Sequence, residues 1–108
     1  MTGDIILVPF PFAELTNRKV RPGVFVCETA DKYKDIVVCA ISSVVPTLLG
    51  ANEILLRPNP VNMLRSDSVI KIDRIIVTVK RRDVIAQIGK LDDTILEAFR
   101  EKFKQLVD

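Results

Sequence analysis

The sequence contains no histidine. The imidazole that serves most acid–base pairs, Ser-His-Asp and Cys-His nucleophiles and imidazole-ligated zinc is therefore missing. Guanidinium, hydroxyl, carboxylate and backbone amide are left for polar chemistry. Arg21, in Arg21-Pro22-Gly23, stands where a long polar segment gives way to an apolar run, and Pro22 keeps it extended. Ser42 and Ser43 close the next apolar run. If the two runs pair as a hairpin, the start of one and the end of the other share an end of the sheet, and Arg21 and Ser42 converge. Taken singly, each also has a plain reading: a surface arginine at a strand start and a pair of turn serines.

The other reactive types lead nowhere by spacing. Cys27 and Cys39 lie in separate apolar runs without a CxxC pair, which argues against a metal site and against dithiol redox chemistry. Both read as buried strand thiols in a reducing compartment. Asp92-Asp93 reads as helix capping, and Asp67 and Asp73 as turn residues. The net charge is +2, with 12 Lys/Arg against 9 Asp/Glu over residues 1–89 and 4 against 5 over residues 90–108. A polyanion should meet the body rather than the tail. Lys80-Arg81-Arg82 is a basic run that suits a solvated turn, with RNA or an acidic protein segment as the alternative.

The elements that must position these residues are short. The chain has 108 residues, of which 48% are hydrophobic and 28% charged, which fits one globular domain over 1–108 and argues against disorder. Ile5 to Val8 is a continuous apolar run suited to a strand buried on both faces. Pro9 and Pro11 interrupt it, so a loop over Pro9–Val20 is predicted. Further strands are predicted over 23–27, 36–41, 53–56, 68–72, 75–79 and 84–88, with a helical turn over 61–65. Ile95, Phe99, Phe103 and Leu106 recur at helical spacing, Asp92 or Asp93 can cap the helix, and Thr94 with Glu97 offers a capping box. The pattern predicts a mainly β fold, a compact antiparallel barrel of the SH3-like kind with a C-terminal helix over one opening or face. The N-terminus lacks a charged signal region, its first basic residue being Arg18, and no run reaches the ~20 apolar residues of a membrane span. A soluble, cytoplasmic chain without membrane contact is expected, and its apolar blocks leave room for a dimer face.

Gly3-Asp4-Ile5-Ile6-Leu7-Val8-Pro9-Phe10-Pro11-Phe12, Arg21-Pro22-Gly23-Val24-Phe25-Val26, Ala40-Ile41-Ser42-Ser43, Asp67-Ser68-Val69-Ile70 and Ile88-Gly89-Lys90-Leu91 occur in that order over almost the whole chain. The ordered set resembles the MazF/PemK family of toxin endoribonucleases. The resemblance implies a homodimeric toxin of a toxin–antitoxin pair that cuts single-stranded RNA, often messenger RNA, at short sequences. It implies no metal or other cofactor, and a cognate antitoxin as partner. The catalytic positions of the family fall on Arg21 and on Ser42, which stands where the family more often has threonine. Arg18, Lys19, Phe10 and Phe12 fall in the segment that borders the RNA groove in the family, and Ser43 lies beside the catalytic hydroxyl. For the two phenylalanines core or loop-anchoring packing is the first reading, since Pro-flanked phenylalanines commonly pin a loop, and base contact is the alternative.

RNA carries its own nucleophile, the 2′-hydroxyl, whose attack on the adjacent phosphorus leaves a 2′,3′-cyclic phosphate and a 5′-hydroxyl. The protein has to align the strand and stabilise charge on the phosphoryl oxygens, which suits a planar guanidinium. Arginine seldom loses its proton near neutrality, so clamping is expected of it rather than proton transfer. Two rival readings are a gyrase-poisoning toxin of the CcdB-like barrel class and a non-catalytic barrel that binds RNA or antitoxin. The CcdB family's contact resembles a C-terminal helix ending in tryptophan, and this chain has no Trp.

Overall fold

Strand pairing organises the chain from its first residues onward. In the computed structural model, which describes residues 1–11, 18–74 and 76–107, β1 spans Asp4–Pro11, β2 Arg18–Glu28, β3 Ile36–Ser42, β4 Glu53–Leu56, β5 Ser68–Lys71, β6 Ile76–Val79 and β7 Ala86–Lys90. A 3-10 turn covers Arg81–Asp83, and helix α1 runs over Asp93–Leu106. The strands form one antiparallel sheet in the order β4-β5-β3-β2-β1-β7. The start of β3 also pairs with β6, while its end pairs with β5 on the same side. The result is a curled half-barrel with one C-terminal helix, in keeping with the architecture expected from the sequence.

The apolar run in β1 is buried on both faces, as predicted. Ile5 joins one core cluster with Val24, Cys39, Ile41, Ile70, Ile72 and Phe99, whereas Ile6, Val8 and Phe10 join a second with Phe25, Ile36 and Val38. Alternation along the strand sends successive side chains to opposite faces, so one run feeds two cores. Helix α1 roofs the first cluster. Asp92 caps it, its Oδ1 accepting from the Ile95 amide at 2.9 Å, so the cap is Asp92 and not the Thr94–Glu97 pair. Phe99 is buried and meets the Phe103 ring edge-on at 4.9 Å. The stripe fades at the C-terminal end, where Leu106 is 39% exposed.

Two boundaries differ from the sequence reading. The segment 9–20 is not all loop: Pro9 pairs with Val20, Phe10 with Lys19 and Pro11 with Arg18. The Leu7 carbonyl accepts from the Ile85 amide, so odd-numbered residues from Leu7 onward point their backbone groups toward β7, whose pairing with β1 ends at Leu7. The missing N–H groups of Pro9 and Pro11 lie on that open side, where no ladder bond is lost. The last strand begins at Ala86 instead of Val84, after the 3-10 turn, and the predicted helical turn at 61–65 is a hydrogen-bonded turn in which the Met63 amide donates to the Asn59 carbonyl.

The cysteines also differ from the sequence reading. Cys39 is buried, but Cys27 is exposed. A bulge between Phe25 and Cys27 breaks the register with β3 and throws the thiol off the face that buries Phe25. Burial, with a smaller contribution from the charge of Asp73, pushes the Cys39 thiol up to about 12. Native protein is therefore expected to present one reactive thiol per chain to a maleimide, lost in Cys27→Ser, while Cys39 reacts only on denaturation. An unfolded thiol ionises around 9 whereas this one stays neutral to about 12, so the contribution of Cys39 to stability is intact below pH 9 and falls as pH rises through that window. Urea denaturation of wild type against Cys39→Ala at pH 7 and pH 10 measures the difference.

Candidate nucleic-acid interface

A groove of about 740 Å³ opens where β2 begins and β3 ends, a size within the ~300–1,000 Å³ usual for ligand sites. Lys19, Val20, Arg21 and Pro22 of β2 line it together with Met63, Leu64, Arg65 and Ser66 from the β4–β5 connection. Leu7, Ile41, Ile88, Ser43 and Ser68 complete the lining. Among the described residues the lining carries Lys19, Arg21 and Arg65 and no carboxylate. It suits an anion with apolar parts. No group of three or more His, Cys, Asp or Glu placed to hold a metal ion occurs among the described residues.

Arg21 is half-buried within the β1–β2 ladder, paired with Val8. The hairpin predicted between the second and third runs is present, with Gly23 opposite Ala40. Carrying that register two residues further sets Arg21 across from Ser42, at the same end of the sheet. Ser42 itself does not line the groove. Its Oγ accepts from the Val44 amide at 3.1 Å, a bond that occupies one lone pair and leaves the O–H able to donate. The hydroxyls on the groove are those of Ser43, which is exposed, and of Ser66 and Ser68. Ser68 is 5% exposed, and its Oγ donates to the Ser66 carbonyl at 3.0 Å.

The other sequence-predicted contacts divide. Lys19 is exposed on the groove. Phe10 is not available to a base, because pairing β1 beyond Pro9 carries its ring into the second core cluster at 1% exposure. The backbone of Arg18 is in β2, while its side chain and the whole of Phe12 lie outside the described residues. The basic run at 80–82 lies away from this lining, with Arg81 paired to Glu28 at 2.8 Å and the Lys80 ammonium 5.7 Å from the centre of the Tyr33 ring.

The lining segment from Met63 to Ser66 was not legible as functional, though Arg57-Pro58-Asn59-Pro60-Val61-Asn62 carries a turn signal. Asn62, only 3% exposed, organises it. Its Oδ1 accepts from the Asn59 and Leu64 amides at 3.1 and 3.0 Å, and its Nδ2 donates to the Arg57 carbonyl at 2.8 Å. Asn59 Oδ1 accepts in turn from the amides of Val61 and Asn62. The Lys90 amide ties this turn to β7 by donating to the Val61 carbonyl at 3.1 Å. Gly89 admits it: a Cβ there would stand 2.5 Å from the Asn62 carbonyl oxygen.

A family model described as PemK-like, MazF-like toxin of type II toxin–antitoxin systems matches residues 1–107. Among solved structures the chain is similar to the Mycobacterium tuberculosis toxin MazF-mt6, with 23% sequence identity over 97% of this chain and 96% of that one and a TM-score of 0.69, a likeness of fold. No curated protein sequence matches it.

Because the atoms facing Gly89 are backbone, they can yield only if the Asn62 turn moves. Gly89→Ala is expected to cost about 1–3 kcal/mol, as overpacking does, read as a lower urea midpoint with unchanged slope. The displaced turn is also expected to expose the Val61–Arg65 backbone to faster hydrogen exchange than in wild type.

Proposed function

The chain belongs to the PemK-like, MazF-like toxins of type II toxin–antitoxin systems, and from that premise we propose that it cuts single-stranded RNA in the groove lined by β2 and the Met63–Ser66 segment. Membership of the family implies an endoribonuclease with an RNA substrate and an antitoxin partner. The observation that carries the site assignment is the half-buried Arg21 on the groove, held by the β1–β2 ladder, with Lys19 and Arg65 on the same lining.

The chemistry proceeds from the substrate. The 2′-oxygen attacks the neighbouring phosphorus and loses its proton to solvent, and the bond to the 5′-oxygen breaks. That oxygen takes a proton from water, leaving a 2′,3′-cyclic phosphate and a 5′-hydroxyl. Charge builds on the non-bridging oxygens as phosphorus becomes five-coordinate. Arg21 meets it with a planar fork of donors, a role in which one well-placed group is worth ~10²–10³ in rate. Ser42, which the extended β2–β3 register sets on the same face as Arg21, is proposed to donate to the same phosphoryl oxygens from beside the groove rather than within it, and Ser43 supplies a second hydroxyl from the groove itself. Lys19 and Arg65 hold flanking phosphates. With cations rather than carboxylates on the lining, the proposed reaction needs no metal ion.

Two copies are proposed to form the working unit. Val44, Val45, Leu48 and Leu49 stand exposed together in the β3–β4 connection, apolar surface that supports burial against a partner. A cognate antitoxin is proposed to silence the toxin in the cytoplasm.

Purified protein is expected to cleave single-stranded RNA in the presence of EDTA and to leave 5′-hydroxyl ends. Arg21→Ala is expected to lower the rate at least ~100-fold with an unchanged circular dichroism spectrum; full activity in that variant would refute the assignment. Comparing Ser42→Ala with Ser43→Ala under the same conditions identifies which hydroxyl serves the phosphate, the expectation being the larger loss at Ser42. Analytical ultracentrifugation is expected to give a mass twice that of the 12.1 kDa chain.

A further inference from the structure

Met63 holds a backbone conformation that its residue type disfavours. Its φ is +56°, in the left-handed region where a side chain crowds the backbone and glycine is the ordinary occupant. The side chain does not repay this by packing, since Met63 is 59% exposed. It lies instead on the groove, whose lining it shares with Lys19 and Arg21. The conformation is held on both sides: the Met63 amide donates to the Asn59 carbonyl at 3.0 Å, and the neighbouring Asn62 side chain fixes the turn from Arg57 to Leu64.

A strained residue that is mostly exposed, held rigidly and turned onto a groove is a place to look for ligand contact. The lining says what kind. Lys19 and Arg21 belong to the same lining and suit the phosphates of a strand. Ile41, Leu64 and Ile88 make an apolar floor. Bases of single-stranded RNA turn away from their backbone and seek flat or polarisable apolar surface. A thioether meets an aromatic ring edge favourably, and it is uncharged.

We infer that Met63 is a specificity-determining residue whose thioether contacts one base of the bound RNA, beside the scissile phosphate held by Arg21. This rests on the endoribonuclease reading above and adds to it the residue that sets base preference at one position of the target sequence.

Met63→Gly tests it cleanly, because glycine takes φ +56° without strain while the thioether is removed, so the variant is expected to melt no lower than wild type. A long single-stranded RNA is digested to low extent with wild type, Met63→Gly and Met63→Leu, and 5′-hydroxyl ends are sequenced to give base frequencies at each position around the cut. The expected result is a flattened preference at one position in Met63→Gly, by about 2- to 10-fold between best and worst base, with the other positions unchanged and Met63→Leu retaining most of the wild-type profile. Superimposable profiles for wild type and Met63→Gly would overturn the inference and leave the endoribonuclease reading standing. A uniform loss at every position with a lowered melting temperature would overturn it in favour of a structural role. Absence of cleavage by wild type would overturn both readings together.

Discussion

The ladder between β1 and β2 is the constraint on which the rest of the molecule depends. It runs from Ile5 opposite Val24 to Pro11 opposite Arg18, and its two faces supply both core clusters. Ile5, Val8 and Val24 are fully buried, each worth about 1.5–3 kcal/mol relative to exposure. A one-residue slip would exchange the faces of the whole strand and empty both clusters at once. Register here is therefore fixed by packing far more strongly than hydrogen bonding alone could fix it. Arg21 is a rung of this ladder, and its position is inherited from the core. Groups that stabilise developing charge act best when they need not reorganise during reaction, which favours a strand over a loop as their support.

How much of this is legible in the sequence depends on whether the deciding contact is local. Alternation and β-branched runs locate the strands because those signals are carried by neighbouring residues. The helix is equally plain, since Ile95, Phe99 and Phe103 repeat at helical spacing and Asp92 precedes them. The readings that fail turn on partners distant in the chain. Pro9 and Pro11 read as breakers until one knows that β7 has stopped pairing with β1 by Leu7. Cys27 reads as buried until the bulge opposite β3 appears. For Phe10 the packing reading holds, and the alternative of base contact falls because the segment around it is a strand.

The candidate site divides in the same way. Arg21 is visible because Arg-Pro-Gly precedes an apolar run, although the strand itself begins at Arg18, and extending the β2–β3 register past Gly23 and Ala40 sets it across from Ser42. Which serine faces the groove is not visible, because Ser42 and Ser43 differ by one residue in a strand of period two and the strand ends there. The Met63–Ser66 lining is hidden for another reason. Its residues are unremarkable by type, and what gives them shape is the buried amide of Asn62 and the bare backbone at Gly89, which lie 27 positions apart. A glycine at the end of a strand motif has many explanations in sequence, and only the packed structure selects close approach of a second chain segment.

The groove and the helix share one face of the sheet, and this relation gives the site its character. Ile41 belongs to the cluster that α1 roofs, and Leu64 and Ile88 pack against it; all three also line the groove. The floor of the groove is thus the same hydrophobic layer continued past its cover. Part of the layer faces the groove instead of the helix. Lys19 and Arg21 also belong to the lining, but their pairing with Phe10 and Val8 sets their side chains on the face of the second cluster, at the rim of the groove rather than over its floor. Under the proposed endoribonuclease reading, the bases of a single strand would cover this apolar surface while its phosphates meet the charges at the rim. The apolar residues that α1 leaves uncovered are thus the ones that give the groove its floor.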